Sequence, residues 1–85
     1  MHLRLRDNVS IVRTEYGSVL LDERGGVYFQ LNPTGTIVAE GLDHRLSPAA
    51  IAERLMQEYD VDEEQAMKDI AALVEKLQAS DLVQP

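Results

Sequence analysis

The side chains able to do chemistry in this chain are few and poorly spaced for it. No cysteine occurs among the 85 residues, which removes disulfides, thiolate metal sites and a thiolate nucleophile together. His2 and His44 have no second histidine or cysteine at ligand spacing, and a zinc centre needs three or four converging ligands. Asp60, Asp62, Glu63 and Glu64 share the acidity of a calcium loop but lack its glycine and its spaced oxygen ligands. They read instead as carboxylates favoured by the dipole at a helix start. Ser10, Ser18, Ser47 and Ser80 have no neighbouring base in a triad pattern, and Ser47 is better placed as a helix cap. Gly25-Gly26 is a turn rather than a phosphate loop, because no GxGxxG run surrounds it. Neither catalysis nor a bound metal or cofactor is expected, and recognition is left.

The run from Gly25 to Gly35 is where recognition would act. Gly25-Gly26 can supply the positive φ angles of a tight hairpin, and Val27-Tyr28-Phe29-Gln30-Leu31 has the β-branched and aromatic character of a strand. Val27, Phe29 and Leu31 share one face, expected to be the core face, and Tyr28 and Gln30 share the other. Asn32 then caps a helix that begins at Pro33. A strand that stops abruptly at a capped helix is expected at a sheet edge, with free N–H and C=O groups.

The surrounding elements position that edge. Val9 to Thr14 and Val19 to Leu21 read as two earlier strands, joined through Tyr16-Gly17, so that Val27 to Leu31 closes a three-stranded antiparallel meander. A first helix is expected from Asn32-Pro33 to Glu40, with Gly41 ending it in the left-handed conformation. Gly35 inside that helix costs about 1 kcal/mol relative to alanine, which suggests another backbone close by. Ser47-Pro48 starts a second helix with the apolar stripe Ile51, Ala52, Leu55, Met56 and Tyr59. Asp62 caps a third, with Gln65 completing a capping-box-like pair and Ala66, Ile70, Leu73, Val74 and Leu77 at helical spacing. Leu82-Val83 is expected to fold back on the core. The pattern is α+β, a three-stranded antiparallel sheet followed by three helices in one domain spanning residues 1–85.

Composition narrows the partners. The formal charge is −7, from eight basic and fifteen acidic residues, which disfavours a phosphate backbone as ligand. Aromatic residues make up only 5% of the chain, so Tyr16, Tyr28, Phe29 and Tyr59 are its few large pieces. No stretch approaches membrane-spanning length and no signal-peptide pattern opens the chain. The expected location is the cytoplasm, with no membrane or nucleic-acid partner.

An open strand can accept a partner strand through main-chain hydrogen bonds, provided a second wall receives the partner's side chains. The third helix can supply it, since Met67, Ala71 and Val74 flank the stripe made by Ala66, Ile70, Leu73 and Leu77. Periodicity leaves two readings of Met67, Ala71 and Val74: a groove wall, or the border of a wide core stripe.

The ordered set of motifs resembles the small leader-binding domains called RiPP recognition elements, the PqqD-like family, and within it the B proteins of lasso peptide biosynthesis. The likeness is carried by Gly26-Val27-Tyr28-Phe29-Gln30-Leu31-Asn32-Pro33-Thr34-Gly35, by Ile37 to Leu42, and by Ile51-Ala52-Glu53-Arg54-Leu55 with Tyr59-Asp60-Val61. Lys68-Asp69-Ile70 and Leu77 to Val83 complete it. It implies a winged-helix-like fold that takes the leader of a precursor peptide as an added antiparallel strand. Carried onto this chain, Val27, Tyr28, Phe29, Gln30 and Leu31 would present the backbone edge, and Met67, Ile70, Ala71 and Val74 would line the groove. The resemblance further implies a non-catalytic partner of a separate cysteine-type leader peptidase, with a macrocyclising enzyme acting on the released core.

Three other readings compete. A DNA-binding winged helix would need basic residues on the third helix, which offers Lys68 and Lys76 among Glu63, Glu64, Asp69 and Glu75. The others are a peptide chaperone of the pyrroloquinoline quinone type and a plain protein-docking module.

Overall fold

Apolar residues at alternate positions of three short strands, and at helical spacing in three later segments, collapse onto one core. In the computed structural model, which describes residues 3–85, His2 lies outside the described part. Two short strands not expected from the pattern frame the chain, β1 (Arg4–Leu5) and β5 (Val83–Gln84). Between them run β2 (Val9–Thr14), β3 (Gly17–Asp22), β4 (Val27–Leu31), α1 (Pro33–Asp43), α2 (Pro48–Glu58) and α3 (Glu63–Ala79). The three expected strands are thus β2, β3 and β4, in an antiparallel sheet of order β2-β3-β4.

The register follows from which side chains must be buried. Leu20 pairs with Phe29 and Ser18 with Leu31, so the inward positions of β3 and β4 fall on one face, where Leu20 and Leu31 are buried. That face meets Val38, Ala39 and Leu42 of α1, and the core continues through Ile51 and Leu55 of α2 to Ala66, Ile70 and Leu77 of α3. The opposite face of the sheet stays exposed, with Tyr28 at 72% accessibility and Val12 at 47%. The architecture is α+β, with the helices gathered on one face of the sheet.

Leu82-Val83 does fold back, with both residues buried. β5 pairs antiparallel with β1 in a separate two-stranded ribbon, reinforced where Arg6 N donates to the Leu82 carbonyl at 3.0 Å. Two residues per strand are too few to show alternation, which is why the ribbon left no signature in the sequence.

All three helix caps are made. Asn32, Ser47 and Asp62 accept from the backbone N–H groups of Gly35, Ala50 and Gln65. The reciprocal half of the capping box is missing, because the Gln65 side chain donates to Asp69 Oδ1 at 2.9 Å instead.

Two glycine expectations are corrected. Gly41 does not end α1, which runs on to Asp43, and the left-handed residue beyond it is Arg45 at φ 59°. Gly41 is buried inside the helix, and a Cβ there would lie 2.6 Å from Cγ1 of Ile51. Its missing side chain lets α1 and α2 approach. At Gly35 the close neighbour is not a second backbone: a Cβ there would meet Oδ1 of Asn32 at 3.1 Å and Cδ2 of Leu31 at 3.2 Å.

Candidate functional site

β4 is held firmly at both ends and left open along one side. At its start, Asp22 organises the hairpin: Oδ1 accepts from Asn8 Nδ2 at 2.7 Å, Arg24 N at 3.0 Å and Gly25 N at 3.3 Å. The Asn8 hydrogen bond, with smaller contributions from these amides and the Arg24 charge, holds the Asp22 carboxyl below its ordinary value, against an opposing desolvation. Gly26 closes the loop at φ 67°, donating to the Asp22 carbonyl at 2.8 Å. At the far end, Asn32 Oδ1 accepts from Gly35 N at 2.8 Å and from Thr34 Oγ1 at 3.0 Å. Turn and cap therefore fix where the strand starts and stops.

One side of β4 pairs with β3, and the other has no strand partner among the described residues. The terminal ribbon of β1 and β5 forms its own sheet and does not cover that edge.

Beside the open edge lies a groove of about 460 Å³ between β4 and α3. Phe29, Gln30 and Leu31 line it from the strand, and Asn32, Thr34 and Gly35 from the cap of α1. Val38 and Leu55, both buried, form its apolar floor. The opposing wall is Asp69, Ala72, Leu73 and Lys76 of α3, at the i, i+3, i+4, i+7 spacing of one helical face. The site offers main-chain hydrogen bonding along one border, an apolar floor, and a helix wall carrying one acid and one base.

The residues singled out from the sequence divide accordingly. Phe29, Gln30 and Leu31 lie in the groove, while Val27 and Tyr28, on the same open strand, are exposed beyond it. Ile70 is buried in the core at 4% accessibility. Met67, Ala71 and Val74 do not line the groove. At about 100° per residue they fall on the far side of the buried stripe of Ala66, Ile70 and Leu77 from Asp69, Ala72 and Lys76. Asp69, Ala72 and Lys76 lie on the other flank of α3, which periodicity does not distinguish from that of Met67, Ala71 and Val74 and which is less apolar, while Leu73 of the expected stripe also borders the groove. Gly35, expected to lie against another backbone, borders the groove instead. Among the described residues, no three histidines, aspartates or glutamates gather where they could hold a metal ion, and no helix is long and apolar enough to cross a membrane.

With this geometry in view, a protein-family model for coenzyme PQQ synthesis protein D matches residues 17–83. The chain belongs to the PqqD family. Solved structures agree. A lasso peptide synthetase B1 complexed with the leader peptide is 42% identical, with both chains covered in full and a TM-score of 0.87. TbiB1 in complex with the TbiA(beta) leader peptide is 25% identical over 95% of this chain and 94% of that one, with a TM-score of 0.86. The PqqD part of Methylobacterium extorquens PqqCD, a stand-alone RiPP recognition element, is 26% identical over 99% of this chain and 89% of that one, with a TM-score of 0.82. No curated protein sequence matches the chain. The family model takes in β3 to α3, and the likenesses to the solved structures extend over nearly the full chain.

Proposed function

We propose that this PqqD-family chain binds the leader segment of a ribosomally made precursor peptide, a lasso peptide precursor in the first instance, with residues 1–85 acting as one recognition unit. The leader adds as an antiparallel strand to the open edge of β4 and rests its apolar side chains in the groove against α3. The observation that carries this reading is the coincidence of a bare strand edge with an apolar groove in a chain 42% identical to a B1 protein solved with its leader. The role is recognition without catalysis. Because the chain has no cysteine, thiolate-based removal of the leader would fall to a separate peptidase, to which this protein presents the bound segment, and ring closure to a further enzyme.

The test is titration with a synthetic lasso-precursor leader peptide, followed by amide hydrogen exchange on the complex. Micromolar or tighter binding is expected, with alternate amides of β4 protected and those of the β2 edge still exchanging. Protection of β2 instead of β4, or no binding, would sink the proposal. The family description, a coenzyme PQQ synthesis protein, leaves a second reading, in which the chain serves as a peptide chaperone in that synthesis. Titrating a quinone-precursor leader in parallel separates the two.

A further inference from the structure

Strand addition is a weak reader of register. A visiting peptide that slips by two residues keeps its main-chain hydrogen bonds and presents the same face to the groove. The apolar floor made by Val38, Leu55 and Phe29 discriminates poorly between one aliphatic side chain and the next. A charged contact in the groove would add selectivity for one alignment.

The helix wall supplies that selection. Asp69 and Lys76 both line the groove, seven residues apart on one face of α3. That separation is about 10.5 Å along the axis, or roughly three residues of extended chain. The two charges differ in how far the protein satisfies them. Asp69 Oδ1 accepts a hydrogen bond from the Gln65 side chain at 2.9 Å. Lys76 takes part in none of the ion pairs among the described residues, in a chain carrying a net charge of −7. Lys76 is exposed at the groove's border, and an ammonium with no ion-pair partner there favours a carboxylate on a ligand laid along the wall. Asp69 at the other end repels a second acid, so the preference is confined to one position.

The geometry points to Lys76 as the register-setting residue of the groove: the bound peptide carries an aspartate or glutamate opposite Lys76, at a fixed offset from the apolar side chains seated on Phe29 and Leu55. This rests on the peptide-groove reading above and adds to it a chemical class for one ligand position.

Panning a displayed library of random 15-residue peptides against the wild-type protein and against Lys76→Glu tests both, with a thermal melt to verify that the variant is folded. The wild type should enrich peptides with an acid at one constant offset from an apolar pair. Lys76→Glu should enrich the same apolar pair with lysine or arginine at that offset, and should bind the wild-type selection roughly five- to tenfold more weakly. If apolar pairs are enriched without any charged position, or the acid persists in Lys76→Glu, the role of Lys76 is refuted while the groove stands. If neither protein enriches any peptide, the groove reading falls with it.

Discussion

Ser18 Oγ and Thr36 Oγ1 lie 2.7 Å apart in the core, and Thr36 has already given its hydroxyl hydrogen to the Asn32 carbonyl 2.9 Å away. Ser18 must therefore be the donor between them. This chain of hydroxyls ties β3 to the start of α1 just beneath the end of β4, with Ser18 and Thr36 almost fully buried. Thr36→Val keeps the shape but leaves the Ser18 hydroxyl without its acceptor, and should cost about 1–3 kcal/mol. The melting temperature should fall by ~4–8 °C per kcal/mol in a domain of this size. Adding Ser18→Ala should recover part of the loss, because the orphaned group is then gone.

The packing of α1 on α2 gives a second prediction. Gly41→Ala gains about 1 kcal/mol of helix propensity, but its Cβ would sit 2.6 Å from Cγ1 and 2.9 Å from Cδ1 of Ile51. Ile51 is fully buried and must shift to admit the methyl, so overpacking of roughly 1–3 kcal/mol outweighs the gain. Urea denaturation should report a less stable protein. A stabilised variant would mean that Gly41 is only a weak helix position.

That residue also marks where sequence reading stops. The three long strands, the caps at Asn32, Ser47 and Asp62 and the buried stripe of α3 were all legible, because each depends on residues adjacent in sequence or one turn apart. From its local context Gly41 reads as a helix terminator, whereas its cause is Ile51, ten positions on. The open strand Val27–Leu31 was visible in its pattern. Its helix wall was not, since periodicity defines a core stripe and two equal flanks, and only the three-dimensional placement of α3 beside β4 puts Ala72 and Lys76 in the groove and leaves Met67 and Val74 outside it.

The hairpin ahead of β4 should be sensitive to acid. The Asp22 carboxyl is held below its ordinary value of 3.8. A group whose folded pKa is depressed stabilises the fold above the unfolded value, and that contribution is lost as the pH falls through the lowered one. Wild type should therefore be more stable than Asp22→Asn at neutral pH, and the difference should shrink as the pH drops below 3.8. Urea titrations of both proteins along a pH series would measure it. A difference independent of pH would mean that the carboxylate charge has no part in holding the turn.

The two flanks of α3 can be told apart with a pair of neighbouring substitutions. Ala71 and Ala72 are both exposed, so glutamate at either keeps helix propensity high and leaves the core untouched. Ala72 faces the groove and Ala71 does not. A peptide laid on the groove would bury the carboxylate of Ala72→Glu against apolar surface, at a cost on the order of 1–2 kcal/mol, or roughly tenfold in affinity. Ala71→Glu should bind as the wild type does. Val74→Glu would be a poorer probe, because Val74 packs partly against the core and its loss would mix folding with binding. Fluorescence anisotropy with a labelled leader, alongside melting curves for each variant, reads both quantities. Weakened binding in Ala71→Glu with Ala72→Glu unaffected would move the peptide to the flank of Met67 and Val74 and away from the groove beside β4.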